Sequence, residues 1–471
     1  MNLGNDFVEN HTFEELQIGQ TARLLRTLTP QDIQAFAAVS GDTNPAHLNA
    51  EYANDTLFHG VIGHGMWSGA LISALLGTQF PGTGTIYLDQ AMHFSRPVRI
   101  GDTLTVSATV VAKDEHKKVV ELACEAVNQK GECVVSGVAR VLAPPHKVRM
   151  PRGSVPQIQV FDPEARFNDL LAMVRNLPAV RCAVAHPCDE GSLRGAVDAA
   201  GYGLLVPVLI GPEARIRALA DTLELDLNGM DIVNMPHSHA AAEHAAAMAA
   251  DGDVASLMKG SLHTNEFINA VLARRELRTG RRMSHVFRFD VPLYSKPLLI
   301  TDAALNIRPT LEEKADILQN AIDFSRLMGV ELPLVALLSA VENVSSNMPS
   351  TLDAAALCKM ADRGQIRGGL LDGPLAFDNA ISVEAALIKK IDSPVAGQAD
   401  VLLVPDLESG NMLAKQLEYL AGATGAGIVL GASVPIALTS RADGPRARAS
   451  SALLVQLVAY HGKARGLKTG V

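Results

Sequence analysis

The sequence predicts two successive folds: an α+β unit in which one apolar helix is wrapped by an antiparallel sheet, then an α/β unit of alternating strands and helices. Three observations carry this. Residues 67–76 are apolar nearly all round, which predicts a buried helix. Polar and apolar residues then alternate strictly over 103–110, and the same beat returns over 119–126 and 134–141, as half-buried antiparallel strands require. From about residue 157 onward the rhythm changes to short β-rich runs and Ala-rich helices: 180–185, 192–200, 206–211 and 213–220, with further strands at 255–258, 298–301, 334–338 and 428–430. A parallel sheet flanked by helices is the expected solution.

Between the strands of the first unit, the charged runs 113–118 and 128–132 read as turns. The first unit is placed at residues 1–143 and the second at 157–471. Residues 144–156 hold four prolines and little core material, so they read as a linker.

At 471 residues the chain is long enough for more than one domain. A net charge of -9 supplies no basic footprint, which argues against nucleic acid or an anionic membrane as partner. No apolar run reaches the roughly 18 residues that a membrane span needs. Asp6, Glu9, Glu14 and Glu15 interrupt any signal-peptide core, so a cytoplasmic location is expected. The five cysteines form no C-x-x-C pair and read as reduced, mostly buried thiols. His237, His239 and His244 fit helix decoration better than metal coordination, and no metal site is expected.

The chemistry concentrates at 40–47, where Asp42 and His47 stand five positions apart across Asn44-Pro45. On a helix that spacing would separate the side chains by roughly 140°. Pro45 disfavours helix at Asn44, and an Asn-Pro turn can instead aim both side chains into one cleft as general base and acid. Read without its flanks, the same octet also fits a capped loop with a surface histidine.

The flanks, 36–39 before it and 48–53 after it, make this segment resemble the signature of the MaoC-like (R)-specific enoyl-CoA hydratases, also called hydratase 2. Ala46 stands where a larger aliphatic residue is common. The resemblance implies a hot-dog fold, a dimer, and the addition of water to a trans-2-enoyl thioester by Asp42 and His47. It also nominates Gly65, at the start of the apolar helix, as the backbone donor to the enolate-like oxygen, since first-turn N–H groups lack intrahelical partners. A glycine there would let the thioester carbonyl approach. Ser73 resembles the hydroxyl that orients the acid, although a helix serine bonded back to a carbonyl is the equal alternative. His59 and His64 read as loop or capping histidines.

In the second unit, polar clusters at 258–265, 301–309, 340–343 and 372–378 follow predicted strands, where open α/β sheets place ligands. With Ser440-Arg441 they resemble the phosphate acetyl/butyryltransferases over about 160–465. This implies a two-subdomain, phosphotransacetylase-like architecture of the isocitrate/isopropylmalate dehydrogenase type. It also implies acyl transfer between coenzyme A and phosphate without metal or bound cofactor. Arg441 would grip phosphate through its planar fork, and Ser440 would donate to the acyl oxygen or the CoA sulfur. Many acetyltransferase relatives carry an Asp seven residues after this Ser; here residue 447 is Ala, with Asp443 nearby.

The combined expectation is a bifunctional acyl-CoA enzyme, a hydratase and a phosphate acyltransferase, with acyl-CoA and inorganic phosphate as partners and a homo-oligomeric state. Two other readings stand beside it: a second unit that only binds acyl-CoA, and a first unit that is a hot-dog thioesterase.

Overall fold

A computed structural model describes residues 7–151, 161–440 and 443–464, which fall into two compact units divided at Val160/Phe161.

In the first unit, β1 (Phe7–Glu9) precedes β2 (Thr21–Thr27), and the helices α1 (Pro30–Ser40), α2 (Pro45–Leu48), α3 (Ala50–Asn54) and α4 (Gly65–Thr78) follow. Strands β3 (Ile86–Phe94), β4 (Thr103–Asp114), β5 (Val119–Val127) and β6 (Cys133–Leu142) complete a five-stranded antiparallel sheet in the order β2-β4-β5-β6-β3. Ile72, Leu75 and Leu76 of α4 share one core with the alternate residues Leu104, Val106, Leu122, Val135 and Ala139 of the sheet. The strict alternation read from sequence is therefore the inward face of the sheet.

Two expectations change. Helix α4 is not buried all round: Met66, Ala70, Ser73, Ala74 and Gly77 form an exposed stripe, so apolarity here exceeds what one sheet can cover. Nor are residues 144–156 linker throughout. β7 (Arg149–Pro151) pairs antiparallel with β1. The fully buried Asn10 also ties this stretch down, donating to Thr83 and His146 carbonyls and accepting from the Val148 N–H. A buried amide satisfied three ways fixes chain that has little apolar surface of its own.

The second unit is built on an eleven-stranded sheet. Its strands are β8 (Val180–Ala185), β9 (Leu205–Gly211), β10 (Asp231–Asn234), β11 (Ser256–Lys259), β12 (Ser284–Asp290), β13 (Leu298–Thr301), β14 (Leu334–Leu338), β15 (Leu370–Leu375), β16 (Val401–Leu403), β17 (Thr424–Leu430) and β18 (Ile436–Ala437). The order is β10-β9-β8-β11-β18-β17-β12-β13-β16-β14-β15. The expected all-parallel sheet is corrected here. Two parallel blocks, β10-β9-β8-β11-β18 and β13-β16-β14-β15, flank an antiparallel centre in which β17 pairs with β18 and β12, and β12 pairs with β13. Three successive reversals make the two blocks run in opposite directions.

Strand β12 lies outside the sequence expectation because it is rich in polar residues. Its burial is met internally: Arg288 and Asp290, each 6% exposed at the side chain, form a two-pronged ion pair at 2.5 and 3.1 Å.

Candidate functional site

The first candidate site begins where α1 ends. Gly41 takes a left-handed φ of 74°, and its N–H reaches the Ala37 carbonyl, closing the helix and releasing Asp42 into a turn. Asn44 then caps α2 by accepting from the Ala46 N–H at 3.1 Å, with Pro45 at the first helical position. This turn brings Asp42 and His47 together: with His64, their ligand-type atoms all lie within 4.8 Å of one another. Asp42 is exposed, His47 half-buried and His64 buried.

The hydrogen bonds orient the rings. His47 Nδ1 lies 2.8 Å from the Ile62 carbonyl, and since a carbonyl only accepts, Nδ1 carries the hydrogen and Nε2 is left to exchange a proton. His64 Nε2 donates to the main-chain carbonyl of Asp42 at 3.0 Å, and its ring centroid lies 4.0 Å from that of His47. His64 holds the N-cap position of α4, but its side chain caps nothing. It joins the site through space, and its place directly before Gly65 was the only sequence signal for it. Among the described residues, Asp42, His47 and His64 are also the one grouping of three such side chains able to hold a metal ion.

Gly65 sits at the start of α4, and Phe94 crowds the place a side chain would take. A Cβ there would meet the Phe94 ring at 3.3 Å, so the missing side chain admits Phe94 of β3. Ser73 does not orient Asp42. It is exposed, eight residues along the helix from Gly65, and the Asp42 carboxylate accepts instead from the Asn44 N–H at 3.2 Å.

The second candidate site lies at the carboxyl ends of β8, β11 and β18. The chain runs from β8 outward to β9 and β10, then returns to place β11 on the other side of β8, so the loops after β8 and β11 line the switch point at which open α/β sheets place ligands. These loops are tied together: Ser261 Oγ donates to the His186 carbonyl at 3.0 Å, and the buried Lys259 Nζ donates to the Gly260 and Leu262 carbonyls. Burial holds the His186 imidazole below its ordinary value.

Ser440 follows β18 on this edge. Its N–H donates to Asp443 Oδ2 at 2.7 Å, and Arg441 lies outside the described residues. Burial pushes the Asp443 carboxyl up, against the Ser440 N–H and Lys415, which hold it down. A cavity of about 200 Å³ opens beside it, lined by Glu190, Gly191, Arg194, Gly195, Asp443, Pro445 and Arg448. Ala447 contributes no titratable group; its carbonyl accepts from Ser451 Oγ.

The four polar clusters read from sequence do not gather at one edge. Residues 258–265 share the edge of Ser440. Those following β13, β14 and β15 open from the opposite edge, because their strands run the other way. There Asp302 accepts from the His285, Ala304 and Leu305 N–H groups and from Asn306 Nδ2, which reads as a structural knot. Likewise His237 caps a helix by accepting from the Ala240 N–H, as helix decoration predicts.

Comparison with known proteins finds a family match in each unit. The family model for the MaoC like domain matches residues 14–130, and that for phosphate acetyl/butaryl transferase matches 238–454. The phosphate acetyltransferase of Rhizobium meliloti is 57% identical over 302 residues, 64% of this chain and 95% of that protein. The crystal structure of a branched-chain phosphotransacylase from Enterococcus faecalis V583 is 28% identical, covers 60% of this chain and 99% of its own, and has a TM-score of 0.52. The R-hydratase PhaJ1 from Pseudomonas aeruginosa is 45% identical, covering 33% of this chain and 99% of its own at a TM-score of 0.32. The chain belongs to the phosphate acetyl/butyryltransferase family and carries a MaoC-like domain ahead of its transferase unit.

Proposed function

We propose that the chain is a bifunctional acyl-CoA enzyme: the first unit hydrates a trans-2-enoyl-CoA to an (R)-3-hydroxyacyl-CoA, and the second exchanges CoA for phosphate on a short acyl group, acetyl or butyryl. The observation that carries the two-activity reading is the convergence of Asp42 and His47.

For hydration, water sits between the Asp42 carboxylate and His47 Nε2. One group takes a proton as the hydroxyl attacks C3, and the other returns a proton to C2. Charge collects meanwhile on the thioester oxygen, where the first-turn N–H of Gly65 is a suitable donor. For acyl transfer, a phosphate oxygen attacks the thioester carbonyl, the tetrahedral oxyanion collapses, and the CoA thiolate leaves and takes up a proton. Ser440 supports the acyl oxygen or the departing sulfur, and Arg441 holds phosphate. The family match of the second unit supports this half of the reading. Acyl-CoA and phosphate enter as substrates; neither scheme calls on a bound cofactor.

A homo-oligomer fits the first unit. Edge strand β3 exposes Ile86, Tyr87, Leu88 and Phe94, an apolar edge that a second copy would cover.

A substrate panel tests the proposal. Enoyl-CoAs of increasing length should lose their enoyl-thioester absorbance without releasing thiol. Acetyl- and butyryl-CoA should release thiol only when phosphate is present. Thiol release without phosphate would make the first unit a thioesterase, and CoA binding without acyl phosphate would reduce the second to a binding scaffold.

A further inference from the structure

Arg448 is 6% exposed, and its guanidinium is spread over a single loop. Nη1 donates to Thr439 Oγ1 at 3.0 Å, Nη2 to the Ser440 carbonyl at 2.8 Å and Nε to the Asp443 carbonyl at 3.1 Å. The loop also closes on itself: Asp443 Oδ2 accepts the Ser440 N–H, and the Asp443 N–H returns to the Ser440 carbonyl at 3.2 Å. Both backbone polar groups of Ser440 are thus fixed by charged or closely held partners.

The other side of Arg448 rests on the helix Glu190–Gly201, which follows β8. A Cβ on Gly191 would stand 3.0 Å from Nη2, and one on Gly195 would stand 3.0 Å from Cδ. The two glycines clear a shelf on which the arginine lies flat. One side chain therefore joins the first strand–helix connection of the unit to Thr439, Ser440 and Asp443.

We infer that Arg448 is a positioning residue for phosphate acyl transfer, setting the backbone from which Ser440 is presented beside the cavity. The inference rests on the reading of Ser440-Arg441 as the transfer site. Three charge-assisted bonds from one rigid fork fix a loop in orientation as well as in place, which a single-point lysine contact would not. Position also matters more than stability here. The cavity beside the loop can admit water to the acceptors that a truncated Arg448 would abandon, so the fold survives while the loop relaxes.

The test uses the full chain and follows phosphate-dependent thiol release from butyryl-CoA, varying each substrate. Arg448→Met keeps the stem and removes the donors. It should lower kcat/KM for phosphate on the order of 10²-fold, as a misplaced reacting group does, with the KM for butyryl-CoA little changed. Arg448→Ala should regain part of its turnover with added guanidinium ion. Gly195→Ala retains every donor but presses on the stem, and it should show the same split in weaker form. A purely structural role would instead lower the melting temperature and leave kcat and the KM for phosphate at parental values per folded molecule, which would overturn the inference. Should Arg448→Met fail to fold, Gly195→Ala decides. Arg441→Ala separates the two levels: if it leaves turnover intact, the reading of the site itself fails, whereas its loss beside a normal Arg448→Met refutes only the inference.

Discussion

His64 donates from Nε2 to the main-chain carbonyl of Asp42 at 3.0 Å, so the residue that opens α4 also holds the turn carrying the acid. The proposed oxyanion donor and the proposed acid are thereby set by one imidazole. Replacing it with alanine frees the turn, and hydration should fall on the order of 10- to 10²-fold through misplacement of Asp42. His64→Gln, whose amide can still donate, should recover part of the loss. Initial rates of enoyl-thioester bleaching are the readout.

Asp42→Asn and His47→Gln remove the proposed proton-transfer groups. Each should lower hydration on the order of 10²-fold or more, and the double variant should be little worse than either, because the pair acts as a unit. Phosphate-dependent thiol release should not move. Joint loss of both activities in either variant would contradict separate sites.

Within β12, the Arg288–Asp290 pair is buried on both sides. Asp290→Asn strands a cation in the sheet and should cost about 3–5 kcal/mol of stability. The paired replacement Arg288→Met with Asp290→Leu should cost far less, since it leaves no lone charge behind. Urea unfolding followed by circular dichroism compares the two.

His285 is fully buried, and burial pulls its imidazole down to about 4, with Asp302 pulling the other way. Folded, the ring stays neutral across a range in which the unfolded chain, with an ordinary value near 6.5, takes up a proton. The unfolded state therefore binds more protons between these limits. Stability is fully present above about pH 6.5 and falls by up to about 1.4 kcal/mol per unit as pH drops toward 4. In His285→Asn this part of the slope should disappear. A melting-temperature series over that window would refute the assignment if both chains fell in parallel.

How far these features could be read from sequence depends on how local their causes are. Asp42 and His47 were legible because Asn44 caps its own neighbour and Pro45 sets the turn, so adjacent residues impose the convergence. His64 reaches Asp42 across 22 positions, through the packing of α4, and no periodicity records such an approach. The strands of the first unit were legible because one face of the sheet is buried and the other is not. Strand β12 was hidden because Ser284, His285, Arg288 and Asp290 look like surface residues until their partners are known. Strand direction was hidden altogether: a run of apolar residues reads the same whether its neighbour is parallel or antiparallel. The scattering of the polar loops to two edges followed from that alone. The approach of the Phe94 ring to Gly65 was hidden too, since it depends on how β3 packs on α4.

Strand β18 docks beside β11, and everything from β12 to β17 is made between them. The block that starts the second unit therefore stays incomplete until β18 has been made. During synthesis the ribosome delivers β8 to β11 early, then a whole second block, and only afterwards the segment bearing Ser440. Such late, long-range closure slows assembly and leaves the open flank of β11 uncovered in the nascent chain. A growing polypeptide would thus lack the cavity beside Asp443 until β18 and the residues after it have been made.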